Sequence, residues 1–318
     1  MFLESDYSEK IALLQDRCTM LKRVRNFFHD KNFTEVDCNA LNSLPELDLH
    51  IDPFEVPMPT GPSFYLHTSP EYGMKKLLSI GMKNIFQLSH VFRKEEEGKF
   101  HRNEFMMLEW YEVGVSLENF LSSVTDLIFL FIEKTEVNIL PYAKAFEKIG
   151  LDLSLSKEDI FLTISSLPVE ARSWDKQSLL HYIWSFYIQP TLGNNELTII
   201  TEFPVSEAAL AKTIQKDGKE VALRFEIYAQ AIEIGNGYIE LTDVIETKNR
   251  FFQVLENRIL YGKSALPLNT DFLETLERGI PPCCGIAIGF DRLMMLRNKK
   301  SDIATILPET ASISSLVQ

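Results

Sequence analysis

Glu226, Glu233 and Glu240 stand seven residues apart. On a helix that spacing is one polar stripe, but Gly235-Asn236-Gly237 interrupts the span, and glycines break helices. The alternative is a hairpin over 224–234. A turn centred on Ala229-Gln230 places Glu226 directly opposite Glu233, although Ala-Gln lacks the Gly or Asn that tight hairpins favour. Facing carboxylates repel unless a cation lies between them. Oxygen-only ligands of this kind suit Mg²⁺ carrying a substrate's phosphates.

Three other stretches carry chemistry-bearing residues. Arg93 ends the apolar run Val91-Phe92 and opens a charged loop, Lys94-Glu95-Glu96-Glu97-Gly98-Lys99-Phe100-His101-Arg102-Asn103. A guanidinium at a strand end, facing further cations, suits a phosphate because its fork pairs two oxygens at once. The same residues also suit a solvated loop between two strands. In Gly285-Ile286-Ala287-Ile288-Gly289-Phe290-Asp291-Arg292, small residues on an apolar strand admit the flat face of a ligand. The helix that follows favours anions at its start, and Arg292 adds a full charge; simple strand–helix packing would leave the same pattern. His67-Thr68-Ser69-Pro70-Glu71-Tyr72 reads as a helix start, with a capping hydroxyl, a first-turn proline and an acid at the positive end. His67 and His101 lack metal-site neighbours and read as hydrogen-bonded structural histidines.

The elements that must position these residues follow from periodicity. Ile11, Leu14, Cys18, Leu21, Val24 and Phe28 form a helical stripe, and Leu117, Phe120, Leu121, Val124, Leu127, Ile128 and Phe131 form another, capped by Ser116. Strand-like runs fall at 85–88, 104–111, 197–203, 224–228, 232–234 and 285–289. Strands grouped rather than alternating with helices predict an α+β fold, an antiparallel sheet flanked by helices. Residues 141–190 fit a helical insertion. The 318 residues contain no repeat and no linker, so one domain over 1–318 is expected.

Composition narrows the function. With 32 Lys+Arg against 45 Asp+Glu, the net charge of −13 argues against binding that depends on neutralising many phosphates. Four cysteines, two of them adjacent, make neither a disulfide framework nor a zinc site. No secretory signal and no apolar run of membrane-spanning length is present. A cytoplasmic protein with no membrane partner is expected.

From Phe33-Thr34-Glu35-Val36 through Arg93–Tyr111 and Glu233-Ile234-Gly235-Asn236-Gly237-Tyr238-Ile239-Glu240-Leu241 to Arg292, the order of motifs resembles the catalytic domain of class II lysyl-tRNA synthetases. The helix beginning near residue 7 leaves no room for the anticodon-binding barrel of those enzymes. Thr68–Tyr72, Met107-Leu108-Glu109-Trp110-Tyr111 and Ala287 are similar to their truncated paralogues, which ligate (R)-β-lysine to a lysine side chain of elongation factor P. The resemblance implies an ATP-dependent ligase working through an aminoacyl-adenylate, with Mg²⁺, elongation factor P as acceptor, (R)-β-lysine or lysine as substrate, and a homodimer.

It also implies roles for particular residues. Arg93 would hold the α-phosphate and Arg292 the γ-phosphate. Glu95 would meet the adenine edge, Phe100 would stack on the ring, and Lys94, Arg102, Glu233, Ile234 and Gly289 would complete the ATP site. Glu226 and Glu233 would bind Mg²⁺. Ser69, Pro70 and Glu71 would face the substrate's backbone amine, Tyr111 and Glu240 its ε-ammonium, and Ala287, where synthetases usually carry glycine, would reshape the pocket. Arg93, Glu233 and Arg292 would be the catalytic residues. The chain departs from the family at Lys94 and Arg102, where asparagines are usual, and at Asn39 and Asn103, where prolines are. Two alternatives stand beside the ligase: a tRNA-charging enzyme, which the net charge and missing barrel disfavour, and a non-catalytic paralogue that binds a lysine-like ligand.

Overall fold

The computed structural model describes residues 4–308. The first stretch runs α1 (Glu4–Asp30), β1 (Thr34–Glu35), β2 (Leu41–Asn42), β3 (Glu55–Val56), β4 (Phe64–Leu66), α2 (Glu71–Ser79), β5 (Ile85–Phe92), β6 (Glu104–Val113) and α3 (Leu117–Ile128). The middle stretch holds β7 (Val137–Pro141), α4 (Tyr142–Glu147), α5 (Lys157–Thr163), α6 (Lys176–Ile183), β8 (Leu197–Pro204), β9 (Thr213–Lys216), β10 (Lys219–Ala229) and β11 (Ile232–Ile239). The chain returns through α7 (Val244–Leu260), α8 (Thr270–Arg278), β12 (Cys283–Gly289) and α9 (Phe290–Arg297). It divides into two compact units, one formed by the residues up to Glu133 and from Ile239 onward, the other by Lys134–Tyr238. Among the described residues no helix is long and apolar enough to cross a membrane.

In the first unit the strands lie in the order β1-β5-β6-β12. β5, β6 and β12 are antiparallel, and the short edge strand β1 runs parallel to β5. Helix α3 is the amphipathic helix its stripe predicts: Ser116 accepts a hydrogen bond from Asn119 N at 3.3 Å, and Phe120, Leu121, Val124, Leu127 and Ile128 are buried. In α1 the expected stripe holds only near its end. Val24 and Phe28 are buried with Met20, while Ile11 and Cys18 are exposed. Arg17 takes a buried position instead, in an ion pair with Asp291, whose other oxygen accepts Met106 N at 2.7 Å. That ion pair ties α1, β6 and α9 together, which an apolar pattern cannot reveal. Phe28 stacks on Phe86 with ring centroids 4.4 Å apart and meets Trp110 edge-on, a packing that adds to simple burial.

The second unit orders its strands β11-β10-β8-β7, with β9 on β10 and β7 parallel to β8. The edge strands of both units thus make the sheets mixed, where a purely antiparallel sheet was expected. The helical insertion packs Tyr142, Phe146 and Trp184 against Phe203 of β8.

The β10–β11 hairpin corrects the register expected from its sequence. Its turn is Gln230-Ala231, both with positive φ (51° and 62°), one residue beyond Ala229-Gln230. Tyr228 faces Glu233, and after a bulge Glu226 faces Asn236 rather than Glu233. The reason is tertiary. Gln230 N donates to Gly193 O at 2.6 Å and Ala231 N to Leu192 O at 2.9 Å, so a neighbouring loop holds a turn that lacks its favoured residues. Gly193 permits that approach: its φ is +69°, and a Cβ there would lie 2.5 Å from Tyr228 O.

Candidate active site

In the first unit α2 carries Glu71 and Lys75 one turn apart, β6 carries Glu109 and Tyr111, and the segment after β11 carries Glu240. Glu71 N lies 3.3 Å from Ser69 Oγ and Pro70 O accepts Met74 N at 2.9 Å. Pro70 itself is the N-cap and no side chain caps the helix, so the expected capping hydroxyl falls one residue early, while Glu71 opens the first turn as expected. Lys75 Nζ lies 2.6 Å from Glu71 Oε1 and 2.6 Å from Glu240 Oε2. The Tyr111 hydroxyl donates to Glu109 Oε1 at 2.6 Å. Ala287 faces Glu109 across β12 and β6, and Gly285 faces Tyr111. Any side chain at Gly285 would begin 2.4 Å from both Glu240 Oε1 and the Tyr111 ring, so glycine is what lets strand, tyrosine and carboxylate converge.

Most of this cluster is buried, Glu240 being 3% and Lys75 1% exposed, while Glu71 is half-buried. Burial pushes the Glu240 carboxyl up to about 7, with Lys75 opposing and Glu71 adding to the rise. Burial likewise holds Glu109 well above the carboxylate range, reinforced by Glu71. Burial disfavours a charged Lys75, but Glu240 and Glu71 outweigh it and keep the ammonium protonated. Three carboxyl groups thus gather around a single ammonium. Among the described residues Glu109 Oε2 and both Glu240 oxygens have no hydrogen-bond partner, Glu240 Oε2 meeting Lys75 as an ion pair, an expensive condition for buried oxygens. The arrangement leaves carboxyl oxygens open to further cationic groups.

Ser69, Pro70, Glu71, Tyr111, Glu240 and Ala287 were the substrate residues expected from the sequence; Lys75 and Glu109 were not. Lys75 sits four residues after Glu71, which in sequence looks like an exposed helical ion pair.

The residues expected at the phosphates lie, in the same unit, around the loop between β5 and β6. Arg93 Nε donates to Thr68 O at 3.3 Å, beside Ser69, and its guanidinium lies 5.1 Å from the Phe105 ring centroid. Arg292 donates to Phe100 O at 3.3 Å and lies 2.8 Å from His101 Nε2. Arg102 bonds His101 O and Asp302, and so is spent on the loop. Lys94 and Glu95 are exposed and 3.5 Å apart. Asn103 accepts from Glu96 N and donates to Glu97 Oε1, both at 3.1 Å, two loop-closing bonds that a proline could not make. His67 is buried with Nε2 2.7 Å from His90 O.

In the second unit Glu226 is 6% exposed and pairs with Arg224 through one oxygen, while the Tyr228 hydroxyl donates to the other. Burial pushes its carboxyl up to about 7, Arg224 opposing and Glu233 adding to the rise. Glu226 and Glu233 thus stay close enough to repel, although they are not cross-strand partners. Ile234 is buried and Gly289, at the end of β12, is half-buried. No group of three or more His, Cys, Asp or Glu that could hold a metal unaided occurs among the described residues. Two oxygen donors short of a full cage fit a Mg²⁺ ion that keeps water and substrate phosphate in its shell.

A family model for class II tRNA synthetases (D, K and N) matches residues 2–308. The chain belongs to the class II tRNA synthetase family. The α+β architecture is that family's catalytic fold, and with it comes ATP-dependent ligase chemistry. Curated relatives are similar along nearly their whole length. An elongation factor P–(R)-β-lysine ligase of Pseudoalteromonas translucida is 34% identical over 310 residues, 94% of this chain and 95% of the relative. A protein of the same name from Sodalis glossinidius is 35% identical over 311 residues, with the same coverage. Another from Edwardsiella ictaluri is 35% identical over 299 residues, 91% of this chain and 92% of its own length.

Proposed function

We propose that this protein activates a diamino acid, (R)-β-lysine or lysine, as an aminoacyl-adenylate and transfers it to a lysine side chain of elongation factor P. The cluster of Glu71, Glu109 and Glu240 around one Lys75 carries this reading, because its unpartnered carboxyl oxygens suit the ammonium groups of such a substrate. The names and coverage of the relatives support the acceptor.

The substrate carboxylate attacks the α-phosphorus of ATP and pyrophosphate leaves. The acceptor ε-amine then attacks the adenylate carbonyl, the C–O bond to phosphate breaks, and AMP leaves with the electron pair while the amine loses its proton. Neither step needs a covalent enzyme intermediate, so positioning and charge neutralisation carry the rate. Arg93, anchored on Thr68 O beside Ser69, would neutralise the α-phosphate next to the bound carboxylate. Arg292, anchored on the Phe100–His101 loop, would hold the γ-phosphate. Phe100 would stack on adenine, Glu95 would meet its edge, and Lys94, Ile234 and Gly289 would line the ATP site. Arg102 would serve that site through the loop it braces. Glu226 and Glu233 would hold Mg²⁺, which when bound neutralises phosphate charge. Tyr111 would orient Glu109 and, with Glu240, take the ε-ammonium; Ser69, Pro70 and Glu71 would receive the other amine, and Ala287 would set the pocket's depth.

The test is pyrophosphate exchange into ATP with (R)-β-lysine, α-lysine and norleucine. Exchange with a diamino acid and none with norleucine is expected; exchange with neither diamino acid sinks the ligase. Transfer to elongation factor P is read as a mass increase on the acceptor. A homodimer is expected in sedimentation equilibrium, and a monomer alone would contradict it.

A further inference from the structure

Lys75 is an anomaly for a substrate pocket. Its ammonium already lies between the two carboxylates assigned to the substrate's amines, 2.6 Å from each. It is almost fully buried, its ring neighbours being Tyr111 and Phe272 at 5.9 Å. A buried ammonium at that position is neither a solvated helix pair nor a ligand, so its charge must serve the pocket.

We propose that Lys75 is a positioning residue that sets how many ammonium groups the pocket accepts, by bridging Glu71 and Glu240 and fixing where their carboxyl groups face before the substrate arrives. The proposal rests on the ligase reading above. The titratable groups around Lys75 are Glu71 on α2, Glu109 and Tyr111 on β6, Glu240 after β11 and Cys283 on β12, with Glu46 next to Glu71. All except Lys75 are acids, so no other group of the cluster can take over its charge. Lys75 opposes the rise that burial and Glu71 impose on the Glu240 carboxyl. Without it, burial and Glu71 act on Glu240 unopposed, and its carboxyl keeps its proton at neutral pH. A protonated acid is a poor partner for an ammonium, so one substrate amine loses its counter-charge.

The consequence is a defect in binding that pH can repair. Raising the pH strips the retained proton and restores an acceptor for the second ammonium. A lysine that merely packed the helix would leave a defect indifferent to pH.

Lys75→Met and Lys75→Arg are compared with the parent protein by pyrophosphate exchange from pH 6.5 to 9.5, with (R)-β-lysine and α-lysine as probes and melting curves as the check on folding. For Lys75→Met the KM ratio to the parent is expected to be about tenfold or more at pH 7, with kcat within about threefold, and to shrink as pH rises. Lys75→Arg, which keeps the charge, is expected to restore most of the KM. A KM ratio that stays constant across the range, or a loss confined to kcat, overturns the proposal. If Lys75→Met does not melt cooperatively, Lys75→Arg decides: a KM near the parent's supports the role, and a pH-independent tenfold rise overturns it. A parent enzyme without exchange refutes the ligase itself, whereas an active parent with a pH-independent variant refutes only Lys75's part.

Discussion

In the Lys134–Tyr238 unit the buried carboxylate of Glu226 has a protein donor on each oxygen, Arg224 on one and Tyr228 on the other. In the other unit Glu71 and Glu240 share a single ammonium with Glu109 beside them, and three of the cluster's oxygens have no hydrogen-bond partner among the described residues. Both arrangements raise carboxyl pKa values through burial. The difference is what remains unmet. Glu226 is oriented by the protein, so whatever it binds meets a preset carboxylate. The Lys75 cluster keeps carboxyl oxygens without a partner, and unmet buried acceptors are a stronger mark of a binding site than buried charge alone.

The largest expected effect falls in the unit that holds the oriented Glu226. Glu233→Gln should lower pyrophosphate exchange by about 10³-fold, the scale of losing one electrostatic stabiliser of a transition state, with an unchanged melting curve. Near-normal exchange would remove the cation role from that unit. Next comes the cluster itself. Glu240→Gln should raise the KM for the diamino acid by about 100-fold, because it leaves a buried substrate charge unpaired. A change confined to kcat would break the contrast drawn here.

The pH dependence of binding sharpens it further. Glu240, at about 7 in the ligand-free protein, must be ionised to accept an ammonium. Affinity for the diamino acid should therefore rise with pH through 6–7, by roughly tenfold per unit below the pKa, with protons released on binding. Calorimetry in buffers of different ionisation enthalpy counts those protons; none released would refute the assignment. The smallest effect is on stability. Glu46, Glu226 and Glu240 all have folded-state values raised to about 7 by burial. Groups raised on folding contribute stability that is full below the unfolded value and is lost as pH climbs through the folded one. The ligand-free protein should accordingly melt about 2–5 °C lower at pH 8 than at pH 6, and saturating diamino acid should narrow that gap. A melting temperature rising over this interval would contradict the burial of these carboxyls.

Much of the fold was legible in local pattern. The α3 stripe with its Ser116 cap and the runs at 85–88, 104–111 and 197–203 became the expected elements because their apolar residues bury one face. α1 was legible only in its second half, since Arg17 enters the interior through a partner 274 positions away. The expected substrate residues meet in one cluster, yet Lys75 and Glu109 escaped notice. An acid and a lysine four apart describe a surface helix as well as a buried one, and nothing local tells which face α8 and β6 will cover.

Sequence alone determined the residue types that can do this chemistry and the order in which they come, because side-chain chemistry and short-range periodicity are properties of the chain itself. Tertiary structure decided the hairpin register, through a loop at Leu192–Gly193 that supplies what Gln230-Ala231 lacks. It also decided the charge of the pocket, because whether an ionised group is solvated or must find a partner depends on which distant segments exclude the water around it.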